Sequence, residues 1–237
     1  MSYIGTTELG KIFLGTTEID KAYLGSTLVF ESGSPTPPAP TPVFYDRLIF
    51  DGSAYINTDI VLPTNCSIRV YIGSETQKKA QRVFRATTNG LLQLIYTSNT
   101  TSTNRRMGVY YDSTSLSDGT HNVAFSTTGF TFFMTPKGWG RGNQTFYSYT
   151  KGSSHPTGGL QIGGWDSGQP FTGQIATFRV YGSDAQNCQT MDSFDNYTSV
   201  YTLRPCTYNG EAGLWCDETN KFYGNSAGAG TLTVANV

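Results

Sequence analysis

Apolar and polar residues alternate in short runs through most of the chain, with a period of two. VFYDRLIF (43–50), AYINTDI (54–60), CSIRVYI (66–72), GLLQLIY (90–96), MGVYYD (107–112), HNVAF (121–125), FTFFM (130–134), TFYSY (145–149), LQIGG (160–164) and IATFRVY (175–181) each put bulky side chains on one face of an extended segment. Turn formers (DG, NG, SDG, TG and GS) separate these runs at roughly ten-residue spacing. The pattern predicts an all-β chain whose main body is a β-sandwich or jelly roll. Helical periodicity is nearly absent, and the best candidate stretch, 183–196, is weak.

The first thirty residues follow a different rule. IGTTELGKIF begins at Ile4, LGTTEIDKAY at Leu14 and LGSTLVFESG at Leu24, so a ten-residue unit occurs three times. Aliphatic side chains also recur every five residues, at Ile4, Leu9, Leu14, Ile19, Leu24 and Val29. Five is neither a helical nor a simple strand period; it suits short strands joined by regular turns, with Gly5, Gly15 and Gly25 free to take positive φ. Units this small cannot bury their apolar face alone. Ile4, Leu9, Phe13, Leu14, Ile19, Tyr23 and Leu24 are therefore expected to pack on another chain or on symmetry mates, and a homo-oligomer, trimer or dimer, is expected. Residues 31–42 hold five of the ten prolines, at 35, 37, 38, 40 and 42. Such a run favours polyproline II and gives a semi-rigid spacer of about 30 Å. The expected organisation is a β-repeat at 1–30, a linker at 31–42 and a sandwich at 43–237.

Charge narrows the partners. The 237 residues carry 16 Lys+Arg against 17 Asp+Glu, so the basic excess that a nucleic-acid binder needs is missing. Aromatic content of 14% with only 14% charged residues is the reverse of a disordered composition. No apolar run approaches the ~18 residues of a membrane span, so membrane insertion is not expected. MSYIGTTELG has neither a basic n-region nor a continuous apolar h-region, so no secretion signal is read there. Cys66, Cys188, Cys206 and Cys216 are widely spaced, and reduced, buried thiols are expected.

Two sets of motifs carry a resemblance. DGTHNVAF (118–125), LQIGG (160–164), FTGQI (171–175) and TFRVY (177–181) resemble the strands of the laminin-G-like, concanavalin A-like jelly-roll sandwich. NGEAGLWCD (209–217), KFYGN (221–225) and the ten-residue repeats are similar to segments of such domains in bacteriophage virion proteins. The resemblance implies a structural component of the virion, a head or tail fibre or a decoration protein, made in the host cytoplasm. Its N-terminus would bind other virion proteins of the capsid or tail, and its sandwich would adhere to host surface glycans. The alternatives are a purely structural cement protein without glycan binding and, last, a glycan-degrading enzyme.

Catalytic residues are not evident. Glycosidases of this fold use paired carboxylates about 5–5.5 Å apart for retention. Here Glu8, Glu18, Glu31, Glu75, Glu211 and Glu218 are scattered, and adjacent Asp217 and Glu218 point to opposite strand faces. His121 fits a structural strand position, and His155 lies in a loop without an obvious nucleophile. The resemblance also raises calcium, through Asp166 with Asp112 or Asp118, although no D-x-D-x-D cluster exists. The sharper candidate is sugar recognition by aromatic and polar groups in Gly-rich loops: Trp139, Arg141 and Asn143 in one, Trp165 and Asp166 in another. Of Tyr110 and Tyr111, strand alternation leaves at most one facing outward.

Overall fold

In a computed structural model, the ten-residue repeats form three hairpins. The structure describes residues 3–4, 7–8, 12–14, 17–19, 21–24, 26–31, 40–73, 81–97, 104–115, 122–124, 129–142, 146–164 and 171–237. Strand β1 (Tyr3–Ile4) pairs with β2 (Thr7–Glu8), β3 (Ile12–Leu14) with β4 (Thr17–Ile19), and β5 (Lys21–Leu24) with β6 (Thr27–Glu31). Equivalent repeat positions oppose one another: Ile4 and Thr7, Leu14 and Thr17, Leu24 and Thr27. Two residues separate each such pair, the length of the commonest hairpin connection, so one period yields one hairpin. Ile4, Phe13, Leu14, Ile19, Tyr23 and Leu24 lie in these strands; Leu9 and residues 32–39 of the Pro-rich run lie outside the described residues.

The chain divides into two compact units, Met1–Thr41 and Pro42–Val237. The second unit contains β7 (Val43–Phe44), β8 (Arg47–Asp51), β9 (Ile56–Val61), β10 (Ser67–Gly73), β11 (Gln81–Ala86) and β12 (Leu92–Thr97). It continues through β13 (Asn104–Tyr111), β14 (Thr114–Ser115), β15 (Asn122–Ala124), β16 (Phe130–Thr135), β17 (Gly138–Arg141) and β18 (Tyr147–Ser148). It ends with β19 (Gly159–Ile162), β20 (Thr172–Tyr181), β21 (Ser199–Tyr208), β22 (Glu211–Cys216), β23 (Lys221–Tyr223) and β24 (Leu232–Ala235). One sheet has eleven strands, ordered β18-β17-β16-β10-β20-β21-β22-β23, with β8, β24 and β7 joined beside this path. The other has seven, ordered β14-β13-β12-β11-β19-β9, with β15 on β13.

Alternation decides what lies between the sheets. Ile68, Val70, Ile72, Phe132, Ile175, Phe178, Val180 and Leu203 come from the larger sheet; Ile56, Phe84, Leu92, Leu94, Val109, Leu160 and Ile162 come from the smaller; all are buried in one core. Rings meet across the interface, with Phe84 edge-on to Phe178 at 5.3 Å and 6.1 Å from Phe132. Gly163 holds φ +87, and a Cβ there would lie 2.0 Å from the Phe50 ring, so only glycine fits this close approach.

The stretch 183–196 forms two short 3-10 turns, Ser183–Asn187 and Asp192–Asn196, rather than a helix. They cross the outer face of the larger sheet, where Phe133, Tyr181, Ala185, Cys188 and Phe194 make a second small core. All four cysteines are buried and free, and burial pushes the Cys66 thiol up to about 12.

Candidate functional site

The expectation of an exposed Trp139 is overturned. Trp139 lies in β17, is 2% exposed, and packs in the main core 4.5 Å from the Tyr147 ring and 6.2 Å from Phe132. The flanking glycines explain the misreading. A Cβ at Gly138 would sit 2.3 Å from the Phe146 ring, and one at Gly140 2.3 Å from Phe133. These glycines therefore seat aromatic rings on a strand, turning Trp139 toward the other face, rather than marking a loop. The Arg141 guanidinium stacks over the Phe130 ring at 4.0 Å. Asn143, Trp165 and Asp166 lie outside the described residues.

A different polar surface emerges on the outer face of the seven-stranded sheet. Inward alternation of Ile56, Ile162, Phe84, Leu94 and Val109 turns the neighbouring residues outward. Asn57 on β9 opposes Gln161 on β19, which opposes Arg85 on β11; Arg85 opposes Gln93 on β12, and Gln93 opposes Tyr110 on β13. Five consecutive strands thus present one polar row about 19 Å long. Tyr111, the neighbour of Tyr110, is buried and bonds the Cys66 carbonyl at 2.5 Å, so its ring faces the core.

Local irregularity enlarges this row. The register between β11 and β12 shifts between Arg82 and Phe84. The extra residue buries both Val83 and Phe84 and leaves Arg82 and Arg85, three positions apart, on the same side. Burial, with a smaller push from the neighbouring Arg85 charge, lowers the Arg82 guanidinium to about 10, while Tyr110 acts in the opposite direction. Within the row, Gln161 donates to Asn57 at 2.9 Å. Gln93 is 5% exposed, and its Oε1 has no hydrogen-bond partner among the described residues. A buried acceptor left unsatisfied costs about 1–3 kcal/mol, a cost that an incoming hydroxyl would relieve. Sequence reading missed Arg82 and Arg85 because QRVFRA shows no clean alternation; three charges or amides among six residues were the available signal.

Among the described residues, the titratable groups elsewhere do not form a reaction centre. His155 Nδ1 lies 2.6 Å from buried Asp112 Oδ1, and Lys151 bonds the other Asp112 oxygen at 3.3 Å. This acid–imidazole pair resembles part of a triad, but His155 Nε2 faces the Leu62 carbonyl at 2.9 Å, where a nucleophile would have to stand. The cluster instead ties the loop after β18 to the ends of β9 and β13. Among the described residues no three His, Cys, Asp or Glu side chains converge as metal ligands. Both Asp112 oxygens have cationic or imidazole partners, and the other two aspartates expected at a calcium site, Asp118 and Asp166, lie outside the described residues.

No family model and no curated protein sequence matches the chain. Solved structures do match. One is a provisionally assigned carbohydrate-binding protein from Bacteroides ovatus ATCC 8483, with a TM-score of 0.53 and 11% identity, covering 83% of this chain and 62% of that one. Another is a heptameric SAP-like pentraxin from Limulus polyphemus, with a TM-score of 0.42 and 12% identity, covering 76% of this chain and 95% of that one. The chain thus spans under two thirds of the Bacteroides protein's length. At this identity the likeness is one of fold, and with two facing antiparallel sheets around a single core the chain is a jelly-roll β-sandwich.

Proposed function

We propose that the chain is a non-enzymatic, lectin-like binding protein whose sandwich takes carbohydrate across the outer face of the seven-stranded sheet. The observation that carries this reading is the row Asn57, Gln161, Arg85, Gln93 and Tyr110, with a buried Gln93 Oε1 lacking a donor among the described residues. Amides, a guanidinium and a phenol set side by side offer donors and acceptors at the spacing of adjacent strands, which suits a ligand rich in hydroxyls. The carbohydrate-binding assignment of the Bacteroides neighbour points the same way. In this reading the sandwich is displayed on a bacteriophage particle, the N-terminal hairpins attach it to other virion proteins, and copy number raises weak adhesion to host surface glycans.

The test is a glycan array probed with the full chain, biotinylated and assembled on streptavidin. Binding to at least one glycan is expected, with loss of tenfold or more in Arg85→Ala and Gln93→Leu. An array without signal for the multivalent wild type, or equal signal from both variants, would remove the reading. Deleting residues 1–41 tests the attachment separately: truncated protein that still enters particles would refute the anchoring role.

A further inference from the structure

The outer face of the larger sheet carries a cleft, built differently from that polar row. It encloses about 480 Å³, within the range of small-ligand sites, and lies where the 3-10 turn Asp192–Asn196 meets β10, β20 and β21. Arg69 on β10 and Arg179 on β20 are directly opposed across the two strands. Like charges so placed disfavour the pairing by roughly 0.2–1 kcal/mol, so something other than strand stability accounts for two guanidiniums here.

Among the described residues lining the cleft, the single acid is committed to one of them. Asp195 accepts from Arg69 Nη1 at 2.7 Å. Arg179 is half-buried and makes no hydrogen bond or ion pair with any described residue. Asp217 influences it through the field, but that carboxylate lies 3.7 Å from Arg204 instead. The cleft therefore holds one guanidinium in excess. Its wall is rigid: Phe194 and Tyr181 are buried, with ring centroids 5.0 Å apart, and Phe194 also packs edge-on to Phe133 at 5.6 Å. The Tyr197 ring is half-buried beside them, and Thr198 is exposed at the mouth.

We infer that this cleft binds the carboxylate of an acidic monosaccharide unit, with Arg179 as its ion-pair partner and Tyr197 as the surface beneath the sugar ring. A carboxylate is planar and presents two acceptors to a guanidinium fork, the geometry that arginine recognises best. One unmatched guanidinium balances one negative charge, whereas a dianion would also face Asp195. The half-exposed tyrosine ring and the threonine hydroxyl suit a ligand with an apolar ring face and hydroxyl edges. This site lies on the opposite sheet from the Asn57–Tyr110 row and stands or falls independently of it.

The experiment titrates the full chain calorimetrically with glucuronate, galacturonate and N-acetylneuraminate, with glucose and sodium sulfate as comparators. At least one sugar acid is expected to bind in the millimolar range or tighter, and glucose to give no signal. Arg179→Met should weaken that binding tenfold or more while leaving the Tm unchanged or raised, because it removes a like-charge opposition. Arg85→Ala, on the other sheet, should leave it unaltered. The inference is overturned if no sugar acid binds, if Arg179→Met binds as the wild type does, if Arg85→Ala abolishes binding, or if sulfate binds as tightly as the best sugar acid. A fall in Tm of Arg179→Met with no effect on binding would mark Arg179 as a structural charge held by Asp217.

Discussion

Replacing Trp139 by alanine tests whether this residue belongs to the core or to a ligand surface. The indole is 2% exposed and contacts Phe132 and Tyr147, so nearly all of its area leaves water on folding. An aromatic side chain of this class buries about 150–250 Å², which at about 25 cal/mol per Å² corresponds to roughly 4–6 kcal/mol as an upper bound. Measured Trp-to-Ala changes in cores cost about 3–5 kcal/mol, because the cavity closes only in part. We therefore expect Trp139→Ala to lose about 3–5 kcal/mol, a large part of the ~5–15 kcal/mol of a typical domain. For a unit of this size the Tm should fall by about 10 °C or more. Guanidinium unfolding followed by far-UV circular dichroism measures the loss, and Trp139→Phe should recover most of it while leaving glycan binding intact. A loss below about 1 kcal/mol with an unchanged denaturant slope would refute the core assignment.

Three further outcomes are expected. Gly163→Ala should destabilise by about 2 kcal/mol or more, since it combines φ +87 with a Cβ 2.0 Å from the Phe50 ring; a thermal melt within about 1 °C of wild type would contradict this. Asp59 is held down at about 2 by hydrogen bonds from Lys221 and Tyr223, which tie β9 to β23 across the two sheets. Its folded value lies below its unfolded one, so its contribution is complete above about pH 4 and lost as pH falls toward 2. Because the carboxylate is 65% exposed, the effect should be the ~0.2–1 kcal/mol of a surface pair, read as a wild-type minus Asp59→Asn difference that shrinks across that window. The four buried thiols should react with a disulfide reagent only after denaturation; rapid labelling of the native protein would show that one of them is accessible.

The fold was legible in the sequence to the extent that side-chain period decides it. Runs such as CSIRVYI and FTFFM became β10 and β16, because a half-buried strand requires apolar residues at every second position. The ten-residue repeat likewise determined one hairpin per unit. The weak helical signal at 183–196 became two 3-10 turns, since its apolar residues, Ala185, Cys188, Met191 and Phe194, recur every third position, the 3-10 period, and pack on the outer sheet face.

The sites were decided only by the tertiary structure. Glycine beside tryptophan reads as a loop, and nothing local reveals that Phe133 and Phe146 fill the glycine positions and send Trp139 inward. Arg82 and Arg85 belong to opposite faces by strict alternation, and a shift of pairing against β12 puts them together. Arg69 and Arg179 are more than a hundred residues apart and become neighbours through one antiparallel register. The sequence by itself determined which segments are strands and which side chains seek the core, because those depend on period and solvation near each residue. Which polar groups share a surface depended on strand order, register and bulges, which arise from contacts between distant segments and leave no local trace.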